Sequence, residues 1–286
     1  MKLKSIWDLC RLEHGIMYAF GVISGIVVSS GHNFPFDKAV LGMLAAISLQ
    51  ASGFALNDYV DYKVDIANER FDRPIVRGEI SRNFALSLSI ALLPCGLILA
   101  YLISFDAFIF AFVVSALGYL YDLKLKEFGF AGNIYIAFSM AVPFLFGSVV
   151  AVDTISGPVV MLAVIAFLSG VGREVMKGIE DVEGDALRNV RTVARLFGIN
   201  TAAKLSAVLF LIAIAMSFIP PIAYRKFMNP GYVIPVTITD IILVHSSLNL
   251  LKIKENIAKK TIRRLRKETL VALSFGLAGF VIGALF

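Results

Sequence analysis

Long apolar stretches alternate with short charged ones along this chain, and the alternation is regular enough to count. Nine apolar blocks run at roughly 15–30, 39–56, 84–104, 107–121, 132–152, 158–171, 202–219, 232–251 and 270–286. Each approaches the ~20 residues that a helix needs to cross the hydrocarbon core of a bilayer. A segment in hydrocarbon must satisfy its own backbone hydrogen bonds, so these blocks are read as helices. The pattern predicts an all-α, polytopic membrane protein of about nine transmembrane helices, forming one membrane-embedded domain over residues 1–286. The tightest join is Ser104–Phe105–Asp106, a very short turn between the third and fourth blocks.

The polar segments give the orientation. Of the 27 Lys and Arg residues, 23 fall in the N-terminal segment or in 58–83, 122–130, 173–200 and 252–267. The other set of connections holds only Lys38, Arg225 and Lys226, and Lys204 opens a span. Basic residues concentrate on the cytoplasmic side of membrane proteins. The N-terminus and the four basic loops are therefore expected inside, and nine crossings keep the alternation consistent.

Composition agrees with the bilayer as solvent. Hydrophobic residues make up 58 % of the chain and charged ones 17 %, against roughly 25 % charged in soluble domains; the mean hydropathy is +0.81. The net charge of +6 does not point to nucleic acid, because the cations sit in short loops between apolar blocks. Cys10 and Cys95 lack metal-ligand spacing and are read as two buried thiols. Residues 1–11 carry Asp8 and two lysines without a cleavage pattern, so no removable leader is expected.

Two of the inside loops carry chemistry. The first reads Asn57-Asp58-Tyr-Val-Asp61-Tyr-Lys-Val-Asp65 and continues to Asp72-Arg73-Pro74. On a continuing helix Asn57, Asp61 and Asp65 repeat every four residues, and Asp58 joins Asp61 and Asp65 at three and seven, giving an oxygen-rich stripe. Like charges so placed repel, and a divalent cation neutralises them. Carboxylate and amide oxygens suit Mg²⁺, which takes one or two carboxylates together with substrate phosphates. The second loop reads Arg173-Glu174-Val-Met-Lys177-Gly178-Ile-Glu180-Asp181-Val-Glu183-Gly184-Asp185. Asp181 and Asp185 repeat the four-residue spacing, with Lys177 one turn before. Two acidic clusters at equivalent ends of two spans suggest two similarly built halves. A third loop, Tyr121-Asp122-Leu-Lys124-Leu-Lys126, offers lysines to a diphosphate.

Together these motifs resemble the UbiA superfamily of intramembrane prenyltransferases along nearly the whole chain. Asn57, Asp58, Asp61 and Asp65 look like its N-D-x-x-D-x-x-x-D motif, running into Asp72-Arg73-Pro74-Ile75 and Gly78. Asp181 and Asp185 look like its D-x-x-x-D motif, and Tyr121 to Lys126 its Tyr/Lys loop. Within the family the runs from Arg173 to Asp185 and from Lys124 to Asn133 are most similar to the archaeal branch that makes digeranylgeranylglyceryl phosphate. One departure is Gly178, where many members carry an Asp; Glu174 and Glu180 are the neighbouring acids that could replace it.

The resemblance implies an isoprenyl diphosphate donor held between the two acidic motifs and bridged by Mg²⁺. Asn57, Asp58, Asp61, Asp181 and Asp185 are the implied metal ligands, and Asp61, Asp65, Asp181 and Asp185 the catalytic acids. Asn57, Tyr121, Lys124 and Lys126 are assigned to substrate binding. Arg11, Arg73, Lys177 and Arg188 are the cations available to the phosphate of a prenylated glyceryl phosphate acceptor. An aromatic acceptor is the nearest alternative within the family. The Asp-Gly-x-x-Ala-Arg run of a CDP-alcohol phosphotransferase is absent. A transporter favours charges at mid-depth of its spans, where only Asp240 and His245 qualify.

Overall fold

The computed structural model describes residues 3–124, 130–182, 191–253 and 258–286. Among these the secondary structure is helical throughout, with no strand. The helices are α1 (Leu3–Cys10), α2 (Leu12–Ser30), α3 (Phe36–Ala67), α4 (Arg82–Ile103), α5 (Phe105–Leu123), α6 (Phe130–Val152) and α7 (Gly157–Glu180). They continue as α8 (Val193–Phe197), α9 (Ile199–Ser217), α10 (Ile219–Ala223), α11 (Pro230–Leu251) and α12 (Ala258–Leu285). Among the described residues, nine helical segments are long and apolar enough to cross a membrane, and each coincides with one of the nine apolar blocks. The expectation of an all-α, multi-pass membrane architecture therefore holds.

The helices outrun the apolar blocks where polar motifs follow. α3 extends from the membrane-crossing stretch to Ala67, so the whole first motif is helical. α7 likewise reaches Glu180. The short turn at 104–106 reduces to Ser104 alone, in extended conformation. Its N–H closes α4 onto Ala100 at 3.3 Å, and its hydroxyl accepts the Ala107 N–H at 3.2 Å to open α5, a helix N-cap in the usual sense.

Two compact units divide the chain: Met1–Ile26 with Asn33–Leu125 and Pro143–Ile155, and Val27–His32 with Lys126–Val142 and Ser156–Phe286. Each carries one acid-rich motif. In the first unit α2 meets the second half of α6 so closely that no side chain fits. A Cβ on Gly25 would strike the Phe144 carbonyl, and one on Gly147 the Val22 carbonyl. Such small-residue contacts let helices associate where the hydrophobic effect supplies no drive. Deeper in this unit Ser52, Ser89 and Tyr119 form a buried polar knot. The Tyr119 hydroxyl stands 2.8 Å from both serine hydroxyls, and each serine donates to the other's carbonyl at 2.8–2.9 Å. The knot fixes α3 against α4 and α5 just below the first motif.

In the second unit Ser206 on α9 donates to the Gly172 carbonyl on α7 at 2.9 Å. Phe227, Tyr232 and Phe280 meet edge-on and tilted in an aromatic cluster. Asp240 is not an isolated mid-span charge, since it accepts the Ser217 hydroxyl at 2.8 Å and ties α11 to α9. One reading of the sequence is corrected: Cys10 is buried but Cys95 is exposed. It stands on an outward face of α4, where neighbours such as Ile98 and Tyr101 are also exposed and the bilayer solvates them.

Candidate active site

At about 100° of turn per residue, the four residues of the first motif lie within one arc of about 100° on α3, but they take different partners. Asn57 donates its amide N–H₂ to Asp61 Oδ2 at 3.1 Å and to Asp122 Oδ1 at 3.0 Å. Asp122 belongs to the last turn of α5 and is buried. Two carboxylates thus converge on one amide from two helices. Spacing alone cannot reveal that Asp122 joins the cluster, because 65 residues separate it from Asn57; an acid at the end of an apolar block was its only signal.

Asp58 points toward the start of the chain and is 1 % exposed. Its Oδ1 accepts Arg11 Nη2 at 2.7 Å, and Arg73 Nε stands 3.7 Å from the same oxygen. Arg73 Nε is also 3.9 Å from Asp65 and 3.6 Å from Asp72. Arg11 sits at the break between α1 and α2 with φ of 44°, a left-handed conformation uncommon outside glycine. Its guanidinium lies 4.1 Å over the Phe54 ring, a cation–π contact. Burial holds Arg11 below the usual guanidinium range despite the carboxylate beside it.

The loop after α3 is tied down by its own charges. Arg70 grips Asp72 through two bonds of 2.8 Å, and these hold the Asp72 carboxyl down to about 2. Arg77 bonds Asp8 at 2.9 Å and the Phe71 and Asp72 carbonyls at 3.0 Å. Gly78 makes the return turn with φ of +73°. At the end of α5, Tyr121 is half-buried and Lys124 exposed. Lys126 lies outside the described residues.

In the second unit α7 ends with Asp181 as its cap, whose N–H reaches the Lys177 carbonyl at 3.1 Å. Lys177 is exposed. Gly178 is buried against Thr192, whose Cβ would lie 3.6 Å from an added Cβ. Glu180 does not replace the missing Asp: it turns to α12, accepting Arg266 at 2.6 Å and Arg263 at 3.0 Å. Asp185 and Arg188 lie outside the described residues.

The donor chemistry suits Mg²⁺. The Asn57–Asp61–Asp122 corner gathers hard oxygen-bearing side chains, two of them carboxylates. No group of three or more His, Cys, Asp or Glu side chains able to hold a metal occurs among the described residues. With two carboxylates and an amide, the corner suits a metal that shares its coordination with substrate phosphates and water, the usual habit of Mg²⁺.

Comparison with known proteins agrees with this geometry. The model of the UbiA prenyltransferase family matches residues 18–267. A digeranylgeranylglyceryl phosphate synthase of Archaeoglobus fulgidus is 55 % identical over 283 residues, covering 99 % of this chain and 96 % of that one. The enzyme of the same name from Thermococcus sibiricus is 33 % identical, covering 100 % and 99 %. A solved structure of a digeranylgeranylglyceryl phosphate synthase superposes with a TM-score of 0.86 at 30 % identity, over 99 % of this chain and 98 % of that one. A UbiA homologue from Archaeoglobus fulgidus bound to GPP and Mg²⁺ shares the fold, with a TM-score of 0.64 at 20 % identity, covering 96 % and 99 %. Paired acidic motifs on nine membrane-crossing helices, a family match over most of the length and whole-length identity to these synthases place the chain in the UbiA prenyltransferase family.

Proposed function

We propose that this membrane prenyltransferase transfers a geranylgeranyl group from geranylgeranyl diphosphate to geranylgeranylglyceryl phosphate, forming the digeranylgeranylglyceryl phosphate of archaeal ether lipids. The observation that carries the reading is the 55 % identity, along 99 % of the chain, with a relative of that name. The chain is read as one prenyltransferase domain, with its active site facing the cytoplasm. The inside excess of Lys and Arg supports that orientation.

In this reading the C1–O bond of the allylic diphosphate breaks, the free glycerol hydroxyl of the acceptor attacks C1, an ether forms, and diphosphate and the hydroxyl proton leave. Mg²⁺, when bound, neutralises charge developing on the departing diphosphate. Asn57 and Asp61 in the first motif and Asp181 and Asp185 in the second provide oxygens for it, with Asp65 as a further acid of the first motif. Tyr121, Lys124 and Lys126 bind the diphosphate, and charged donors aimed at the leaving group stabilise the transition state. Arg11, Arg73, Lys177 and Arg188 serve the acceptor phosphate. The apolar spans receive the prenyl chains and keep water from the allylic cation.

The test is an assay of purified protein with labelled geranylgeranyl diphosphate against a panel of acceptors. Geranylgeranylglyceryl phosphate is expected to be prenylated, and its dephosphorylated form to lose most of the activity. Turnover of 4-hydroxybenzoate with neglect of the glyceryl phosphate would overturn the acceptor while leaving the family intact.

A further inference from the structure

We propose that Asp58 is a positioning residue, the shared counter-ion that aims Arg11 and Arg73 at a substrate phosphate, and not a ligand of the metal. The proposal rests on the reading of the chain as a prenyl diphosphate enzyme, and it removes Asp58 from the ligand set that its motif implies.

Asp58 is 1 % exposed, and one of its oxygens is already taken by Arg11 at 2.7 Å. Arg73 adds a second guanidinium 3.7 Å from that oxygen. A divalent cation brought to the same carboxylate would face two positive charges within a few ångström and little water to screen them. Nor is there access, since Oδ2 is buried and hydrogen-bonds to nothing. Mg²⁺ gives up its waters reluctantly, and a walled-in oxygen is a poor place for it. Asp61 is only partly buried and stands beside Asn57, which also holds Asp122.

The guanidiniums, by contrast, are short of acceptors. The Arg11 and Arg73 side chains stay 15 % and 16 % exposed, so each remains partly reachable from outside the cluster, while Asp58 Oδ2 is not. Asp65 and Asp72 approach Arg73 no closer than 3.9 and 3.6 Å, and Arg70 is spent on Asp72. Arg11 and Arg73 converge on Asp58 in fixed orientation, with Phe54 under Arg11 and an unusual backbone turn at Arg11 itself. Such a turn persists where its surroundings over-determine it. Fixed forked donors with acceptors missing are what a phosphate group completes.

The test separates the two roles of an acid. Mn²⁺ serves as the probe: its binding to purified protein is read by electron paramagnetic resonance for wild type, Asp58→Asn and Asp61→Asn. In parallel KM and kcat are measured with whichever prenyl diphosphate and acceptor the wild type turns over. Asp58→Asn is expected to bind Mn²⁺ as wild type does, while Asp61→Asn loses affinity. Asp58→Asn is also expected to raise KM for one phosphate-bearing substrate by about tenfold, the equivalent of about 1.4 kcal/mol, and Asp58→Glu to recover part of it. Loss of Mn²⁺ affinity in Asp58→Asn equal to that in Asp61→Asn would make Asp58 a ligand and overturn the proposal. Unchanged KM values with only a lower melting temperature would reduce Asp58 to packing and overturn it equally. Should Asp58→Asn not fold, Arg11→Lys takes its place. It keeps the charge that Asp58 needs but not the fork, so KM rises without any change in Mn²⁺ binding, and an unaltered KM refutes the proposal. A wild type that transfers no prenyl group to glyceryl phosphate would sink the proposed acceptor but not the Mn²⁺ comparison.

Discussion

Asp122→Asn removes one charge from the Asn57 corner while keeping the shape of the side chain. The amide replaces the carboxylate atom for atom, and its carbonyl oxygen still accepts from Asn57, so the fold survives. Trading a charge-assisted bond for a neutral one costs on the order of 1 kcal/mol. The larger effect falls on the metal. With Asn57 3.0 Å from Asp122 and 3.1 Å from Asp61, the two carboxylate oxygens are at most about 6 Å apart, and a cation on Asp61 lies at a similar distance from Asp122. At that separation a divalent ion and one carboxylate attract by about 5.5 kcal/mol at an effective dielectric of 20 and by about 1.4 kcal/mol in bulk water. The end of a span is near water, so the lower part of this range applies, about 1.4–3 kcal/mol. That corresponds to a Mg²⁺ requirement raised roughly 10- to 100-fold. The assay is initial rate against Mg²⁺ concentration at fixed prenyl diphosphate, with thermal unfolding in detergent as the check on folding. If the two Mg²⁺ curves superimpose, Asp122 does not belong to the metal corner and the reasoning fails.

Three further outcomes are expected. Gly147→Val forces a side chain into the Val22 carbonyl and costs about 1–3 kcal/mol or more, seen as a lower melting temperature. Gly53→Ala, whose added methyl meets nothing within 4 Å, is tolerated, and equal behaviour of the two variants would refute the close contact of α2 with α6. The Asp72 carboxyl is depressed to about 2 from about 3.9 when unfolded. The contribution of its pair with Arg70 is therefore complete above about pH 4 and is lost as pH falls through about 2. Resistance of the 68–80 loop to proteolysis should hold between pH 7 and pH 4, as judged by an acid-tolerant protease, and a loss within that window that Asp72→Asn abolishes would contradict the assignment. Finally, with exposed Cys95 replaced, single cysteines placed in 58–83 and in 252–267 should react with an impermeant label only from the cytoplasmic side; first reaction from outside would break the orientation.

The spans were legible because the bilayer imposes one simple requirement, length without charge, and the composition of 39–56 or 132–152 answers it locally. The helical extension of α3 through Asp65 was legible for a similar reason, since the four-residue repeat of acids belongs to a helix. What the spacing could not resolve was the partner of each acid. Asn57, Asp58, Asp61 and Asp65 read as one stripe, yet Asp58 is drawn away by Arg11, 47 residues earlier, and Asn57 is bound to Asp122. Glu180 looked available to the second motif until α12 supplied Arg263 and Arg266 more than eighty residues on. Local periodicity fixes which way a side chain leaves the helix; only tertiary packing decides what it meets.

The single residue joining α4 and α5 has a consequence for how the chain enters the membrane. Ser104 serves both as the last partner of one helix and the first cap of the next, leaving no polar segment that could remain outside while one helix crosses alone. A helix end stranded in hydrocarbon carries unsatisfied backbone groups. The two spans are therefore expected to enter the bilayer together as a closed hairpin, and a tag inserted at this join to lower the yield of inserted protein.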